Sequence, residues 1–251
     1  MASRERAQAV IAAGQVRVAG APAGKPARLV AASEPVEVIG PPARFVSRGG
    51  EKLDAALDRF GIGVAGRSAV DAGASTGGFT DCLLQRGAAH VTAVDVGRGQ
   101  LDPRLRSDPR VTVRERTNVR SLGGGHFDLV VADLSFVSLR SVAADLMALV
   151  HPGGDLVVLV KPQFEAGRAE ASRGKGVIRD PEVWSRAIEG VNGAFETAGA
   201  AMIGAMVSPL RGARGNVEFL AHFRPGPSAA PPDNAADMVA AAVADAVAAG
   251  T

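Results

Sequence analysis

From Phe45 onward, apolar runs of strand length alternate with amphipathic stretches of helix length, and this alternation leaves few folds open. The strand candidates are Ser68–Asp71, Val91–Asp95, Val111–Val113, Leu129–Asp133, Leu156–Val160, Ala201–Val207 and Val217–Phe223. Glu51 to Phe60 carries Leu53, Ala56, Leu57 and Phe60 at helical spacing, and further helices are expected over Gly78–Arg86, Ser138–Val150 and Pro181–Thr197. Strands separated by helices are joined by crossovers, so their sheet is mostly parallel and covered on both faces. The last two strand candidates follow one another with no helix between them, which brings the final strand in antiparallel. The expected fold class is therefore α/β and Rossmann-like, with a seven-stranded, mostly parallel sheet whose last strand is antiparallel.

The chain before Phe45 reads differently. A helix capped by Ser3 and running to Ile11, short strands at Val16–Val18 and Val36–Ile39, and turns at Gly14 and Gly20 suggest a small module over residues 1–40. Pro41-Pro42 opens a linker over 41–47, because proline cannot donate to a ladder. Residues 48–224 form the main domain, and 225–251 a Pro- and Ala-rich tail whose alanine-rich end can form a helix. Hydrophobic residues at 47% and charged residues at 22% suit a globular chain. A single cysteine, Cys82, excludes an internal disulfide framework and a multi-thiolate zinc site. With no secretory core at the N-terminus and no apolar run of about 20 residues, a soluble, cytoplasmic protein without stable membrane association is expected.

The net charge of +2 identifies no partner, but its distribution is informative. Residues 1–48 hold seven basic residues against three acidic, and residues 98–120 again hold seven arginines against three acids. Clusters of this kind suit a phosphate backbone, with a solvated Arg-rich surface as the plain alternative.

The sharpest local signal is Val70-Asp71-Ala72-Gly73-Ala74-Ser75-Thr76-Gly77-Gly78-Phe79. A strand ends in an acid, and a glycine-rich turn feeds the N-terminus of a helix, where backbone amides can meet a ligand. Asp95 ends the next strand, where an acid commonly holds a ribose diol. A dinucleotide site prefers G-x-G-x-x-G, whereas this turn reads G-x-x-x-G-G, and Asp71 at its mouth would repel a pyrophosphate. The same acid can accept from an amino-acid ammonium group, so S-adenosylmethionine fits better than NAD. The donor site is expected to draw on Asp71, Gly73, Ser75, Gly77, Gly78, Phe79, Asp95, Val96, Asn118 and Asp133.

Lys161 and Asp133 each follow an apolar strand at the edge where open α/β sheets bind ligands. Lys52 opens the first helix after the small module, and Glu218 lies on the last strand candidate. Only four of the 28 Lys+Arg residues are lysines: Lys25, Lys52, Lys161 and Lys175. Arginine serves wherever permanent charge suffices but cannot give up its proton, so a lysine retained in such a chain points to titration or a compact ammonium.

SRGGEKL, DAGASTGGFTD, VADLSF, LVKPQFE and RGNVEF, in this order and spacing, resemble the TlyA family, also labelled haemolysin A. The likeness runs over about residues 3–223. It implies a ribosomal RNA 2′-O-methyltransferase whose catalytic domain is of the FtsJ/RrmJ type and uses S-adenosylmethionine. A Lys-Asp-Lys-Glu tetrad would then fall on Lys52, Asp133, Lys161 and Glu218. The resemblance also implies an N-terminal S4 RNA-binding domain, matched by SRERAQAVIAAGQVRVAGAPAGKPARLV and short of the additional helix with which such domains normally begin. Ribosomal RNA or ribosomal subunits would be the partner and a cytidine the modified nucleotide. Arg4, Arg6, Arg17, Lys25, Arg28 and Arg48 are the candidate RNA contacts, and Glu165–Arg179 has the length of a substrate loop.

In this reading Lys161 is the base, its pKa lowered by Lys52; Asp133 orients it, and Lys52 and Glu218 position the ribose. No metal is required, because no phosphate is transferred, and the sequence assigns no oligomeric state. The rivals are an NAD-dependent oxidoreductase, a non-catalytic RNA-binding protein, and a membrane-lytic haemolysin acting through the Ala-rich tail.

Overall fold

In the computed structural model, the apolar runs assemble into one seven-stranded sheet, and a separate three-stranded sheet precedes it. The structure describes residues 4–40, 43–123, 126–167, 170, 176–226 and 232–250. The N-terminal part consists of helix α1 (Arg4–Ala12) and strands β1 (Val16–Val18), β2 (Ala21–Pro22) and β3 (Val36–Val38), in the antiparallel order β2-β1-β3. Its core is small: Val16, Val18 and Ala23 are buried, with Val10 and Ile11 packed against them. Ser3, the expected helix cap, and Pro41-Pro42 lie outside the described residues.

The main body begins with helix α2 (Gly49–Arg59), followed by β4 (Ser68–Ala72), α3 (Gly78–Gln85), β5 (His90–Val94), the short α4 (Pro103–Arg106) and β6 (Val111–Arg114). Then come β7 (Phe127–Ala132), α5 (Ala143–Met147), β8 (Val150–Val160) and the single turn α6 (Pro162–Glu165). The chain closes with α7 (Pro181–Thr197), β9 (Ala200–Val207), β10 (Phe219–Pro225) and α8 (Pro232–Ala248). Sheet order is β6-β5-β4-β7-β8-β10-β9. Pairs from β6 through β8 are parallel, while β10 is antiparallel to both β8 and β9. The last strand of the chain thus slips between its two predecessors and runs against them, as its helix-free connection from β9 requires. The order β6-β5-β4-β7-β8 is the Rossmann arrangement, reversing direction at β4.

Two cores fill the two faces. Leu53, Leu57, Leu83, Leu129, Val157 and Leu220 pack under α2 and α3, while Val70, Val130, Leu156, Trp184, Phe195 and Phe223 pack under α5, α7 and α8. At about 25 cal/mol per Å² of apolar area removed from water, a continuous double-sided core of this kind is the dominant stabilising term.

Several expected boundaries shift. The helix over Ser138–Val150 is a 3₁₀ turn at Leu139–Ser141 followed by the short α5, and Val150 already belongs to β8. Glu218 immediately precedes β10 rather than lying in it, although its carbonyl still accepts from the Ser208 amide at 2.8 Å. Phe45 and Val46, expected in the linker, are buried in the α2–α3 core. The Ala-rich end is not a free tail: α8 packs on β9 and α7 and buries Val239, Ala242, Val243 and Ala246. Its apolar stripe is thin, yet alanines let the helix approach closely enough for the stripe to suffice.

Candidate functional site at the carboxyl edge of the sheet

Alternation along the strands decides which side chains meet. On β7, Leu129 and Val131 face the α2–α3 core, so Asp133, next in the period of two, returns to that face. Val157 and Leu159 place Lys161 there by the same count, and Ala69 places Asp71. Leu220, read backwards along antiparallel β10, brings Glu218 to the same side. Helix α2 covers this face and carries Lys52. Asp133, Lys161 and Glu218 therefore converge because their strands end at one edge with one parity, and Lys52 meets them from the covering helix.

They form two ion pairs. Lys52 Nζ donates to Glu218 Oε2, and both residues are buried. Lys161 Nζ lies 2.5 Å from Asp133 Oδ1 and donates to Ser135 Oγ at 2.9 Å. Lys161, the expected base, thus pairs with Asp133, whereas Lys52 takes Glu218 as its partner. Lys161 also stands 5.8 Å from the centre of the Phe164 ring, within cation–π range.

The glycine-rich turn lies beside these pairs. Gly73 has φ +86°, and a β-carbon there would come within 2.5 Å of the Asp133 carbonyl oxygen, so only glycine lets β4 and β7 end this close together. A β-carbon on Gly78 would meet Ser47 Oγ at 2.2 Å and Gly50 N at 2.9 Å, so this glycine serves the close packing of α3 under the start of α2. Asp71 is fully buried; its Oδ2 accepts from the Thr80 amide at 2.8 Å and the Thr80 hydroxyl at 2.6 Å. Its Oδ1 is buried and, among the described residues, has no partner. Burial pushes the Asp71 carboxyl up to about 7, with the Thr80 hydrogen bonds opposing the shift and the Asp133 charge adding to it. An acid in this state calls for a cation rather than a pyrophosphate, and the ammonium of an amino-acid-bearing nucleoside meets that need.

Asp95 is already engaged: it accepts from Ser75 N at 2.8 Å and from Gly97 N at 2.6 Å. It borders a second cavity of about 10 Å³, room for roughly one water, which shares Ala74 and Ser75 with the main cleft. Ser75 Oγ donates to Gln100 Oε1 at 3.2 Å across this region. The other expected donor contacts are more peripheral. Asn118 Oδ1 accepts from Arg120 N at the start of a 3₁₀ turn, and Val96 is 71% exposed. Gly77, at φ +96°, is held against Leu105 and Leu101.

The main cleft encloses about 1670 Å³, above the usual size of small-molecule sites, and so has room for a nucleotide together with a second ligand. Lys52, Asp71, Gly73, Ser75, Gly78, Phe79, Asp133, Lys161 and Glu218 line it, as does the exposed Arg48. Gln15, Val38 and Ile39 of the N-terminal part also border it. Arg17, Lys25 and Arg28 are exposed outside the cleft, with Arg28 3.5 Å from Glu34. Arg4 and Arg6 lie on α1, and nothing is described of their side chains.

The arginine cluster at 98–120 is less available than its count implies. Arg104, Arg106, Arg110 and Arg120 pair with Asp102, Glu115, Asp108 and Asp145, which leaves Arg98, Arg114 and Arg116 as exposed cations without such a partner among the described residues. Of the expected substrate loop over 165–179, residues 168, 169 and 171–175, including Lys175, lie outside the described residues.

Sequence reading missed three contributors. Ser135 bonds the lysine. Phe136, 92% exposed with φ +66°, lines the cleft with its ring centre 5.5 Å from that of Phe164. A left-handed non-glycine residue costs on the order of 1–3 kcal/mol, which marks the position as held by its surroundings. Buried Asn216 accepts from Ile178 N at 3.0 Å and donates to Gly176 O at 2.8 Å, pinning the end of the 165–179 segment beside Glu218. The motif VADLSF contained both Ser135 and Phe136, but only contact geometry separates them from ordinary loop residues.

Comparison with known proteins agrees with this architecture. The FtsJ-like methyltransferase family model matches residues 45–224. The 16S/23S rRNA (cytidine-2′-O)-methyltransferase TlyA of Mycobacterium tuberculosis is 49% identical over 227 residues, covering 88% of this chain and 84% of that protein. Hemolysin A of Brachyspira hyodysenteriae is 39% identical over 226 residues, covering 88% and 93%. Among solved structures, a protein from Streptococcus thermophilus described as a hemolysin superposes with a TM-score of 0.79 at 36% identity, over 99% of this chain and 93% of that one. With the matched segment starting at the buried Phe45 and ending on β10, this chain belongs to the FtsJ-like methyltransferase family.

Proposed function

We propose that this protein transfers a methyl group from S-adenosylmethionine to the ribose 2′-hydroxyl of a cytidine in ribosomal RNA. The observation that carries this reading is the meeting of two lysine–carboxylate pairs in one cleft with a buried, half-partnered Asp71. The TlyA relative named above, an rRNA cytidine-2′-O-methyltransferase, supports the substrate class.

When bound, S-adenosylmethionine supplies an electrophilic methyl group on a sulfonium centre. Asp71 Oδ1 would accept from its ammonium and Asp95 would hold its ribose hydroxyls, with Gly73 and Ser75 shaping the turn between them. Lys161 is placed to take the 2′-hydroxyl proton at Nζ, and a bound donor would supply the methyl as its sulfonium becomes a neutral thioether. Asp133 and Ser135 fix the direction of Nζ. Lys52, held by Glu218, donates to the ribose oxygens and keeps the sugar in line with the donor. Phe136 offers an exposed face on which the target base can stack once it leaves its helix. Residues 1–40 are read as an S4-like RNA-binding module, with Arg17, Lys25 and Arg28 and the cleft residue Arg48 meeting phosphates in a cytoplasmic ribosomal substrate.

Replacing Lys161 by Ala is expected to lower transfer of labelled methyl to ribosomal RNA by at least about a thousandfold, with S-adenosylhomocysteine affinity kept within about threefold. Undiminished transfer would remove Lys161 from its role. The membrane-lytic reading finds no support in α8, whose Val239, Ala242, Val243 and Ala246 are spent on the core. Among the described residues no helix is long and apolar enough to cross a membrane.

A further inference from the structure

Two loops leave the carboxyl edge side by side. The one after β7 carries Asp133, Ser135 and Phe136 and ends in the 3₁₀ turn at Leu139–Ser141. The one after β8 carries Lys161 and continues through α6 with Phe164 and Glu165. Glu165 reaches from the second loop to the first. Its Oε1 accepts from the Leu139 amide at 2.8 Å, and its Oε2 accepts from Ser138 Oγ at 2.5 Å. Both carboxylate oxygens are thus committed to the neighbouring loop, capping the 3₁₀ turn from outside its own chain segment. Burial raises the Glu165 carboxyl above its ordinary range, so the acid is kept in an environment that disfavours its charge.

The consequences of this tie lie upstream on both loops. Phe136, two residues before Ser138, holds a left-handed backbone while its ring is almost fully exposed, so no burial of that ring offsets the strain. The ring is tilted at 51° to that of Phe164, the residue next to Glu165. Lys161 in turn reaches back across the same gap to Asp133 and Ser135. Glu165 therefore closes the outer end of a ladder whose inner rung is the Lys161–Asp133 pair and whose middle rung is the Phe136–Phe164 contact.

We propose that Glu165 is a positioning residue that locks the two exit loops in register, so that Phe136 and the Lys161 amine are presented to one nucleotide at once. It touches neither substrate nor donor and acts through Ser138 and Leu139. The proposal rests on the methyltransferase reading of the cleft.

The test compares Glu165→Ala, Glu165→Gln and Ser138→Ala in single-turnover methyl transfer to ribosomal RNA, with S-adenosylhomocysteine affinity and thermal melting measured on the same preparations. E165A is expected to lower the transfer rate about 10- to 100-fold with donor-product affinity within about twofold, because the turn that holds the donor is not part of the tie. E165Q retains an acceptor for the Leu139 amide and is expected to recover most of the rate; S138A, which removes one of the two bonds, should fall between. A merely structural role would instead lower melting temperature and donor-product affinity together, with no recovery by glutamine. That pattern, or an E165A rate equal to wild type, overturns the proposal. If the wild-type protein itself transfers no methyl to ribosomal RNA, the reading on which the proposal rests is what fails, and the proposal falls with it.

Discussion

Asp71 and Asp155 are both buried in the main sheet, one near each edge, and they carry opposite electrostatic states. Asp155, midway along β8 and level with Leu129 near the start of β7, accepts from His222 Nε2 at 2.8 Å, Arg224 Nε at 2.7 Å and Arg67 Nη1 at 2.7 Å. Burial alone would raise its carboxyl, but these three donors more than offset burial and hold it below the usual carboxylate range. Asp71, toward the carboxyl end of β4, has among the described residues one neutral partner residue, Thr80, and one unpartnered oxygen, and it is pushed up to about 7. The same side chain is finished at one edge and left unfinished at the other. Cation type follows the same division: guanidiniums hold Asp155, and the pair of Arg44 and Arg86 holds Asp54 of α2, whereas ammonium groups meet Asp133 and Glu218. Permanent charge serves the framework, and groups able to release a proton sit where chemistry is expected.

Breaking the finished acid should have the largest effect on stability. Asp155→Ala leaves buried His222 and largely buried Arg67 without their acid and is expected to destabilise the fold by about 3–5 kcal/mol in denaturant titration, with S-adenosylhomocysteine affinity unchanged. Because the folded-state pKa of Asp155 is depressed, its contribution is present above the unfolded value near 4 and is lost as pH falls below it. Acid unfolding of the wild-type protein should be blunted in Asp155→Asn. Loss of donor-product affinity in step with stability would merge the two edges and break the contrast.

The unfinished acid gives the opposite sign. The carboxyl of Asp71 rises from 3.8 in the unfolded chain to about 7 in the fold, so ionisation disfavours folding as pH climbs through that interval. Asp71→Asn is therefore expected to flatten the stability profile between these values and to raise stability at pH 8 by up to about 4 kcal/mol, from about 1.4 kcal/mol per pK unit. Donor-product affinity should fall at least tenfold in the same variant, and in the wild type it should strengthen as pH rises through 7. A variant that is less stable at pH 8 than wild type would mean that Asp71 has a cationic partner in the free protein.

Much of this division was legible in the sequence, for physical reasons that differ by element. The strand runs are apolar on both faces because both faces are buried, so Leu129–Ala132 and Leu156–Val160 declared themselves, and parity then carried Asp133 and Lys161 to one face. Gly73 was legible because a backbone approach that excludes a β-carbon leaves a residue type behind. Docking of α8 was not, since close packing of Ala242 and Ala246 leaves no strong periodic signal. Nor was the neutralisation of Arg104, Arg106 and Arg110: a charge count does not say which acids lie within reach. The partners of Lys52 and Asp155 depend on residues 166 and 67 positions away, and no local pattern encodes such pairs.

The central claim is that the carboxyl-edge cleft methylates a ribose oxygen. The direct measurement is nucleotide-resolution mapping of ribosomal RNA from ribosomal subunits incubated with the purified protein and S-adenosylmethionine, with Lys161→Ala in parallel. The expected result is a 2′-O-methylcytidine formed by the wild-type protein and not by the variant. Methylation on a base atom, or RNA left unmodified by a folded protein that binds the donor, would contradict the account.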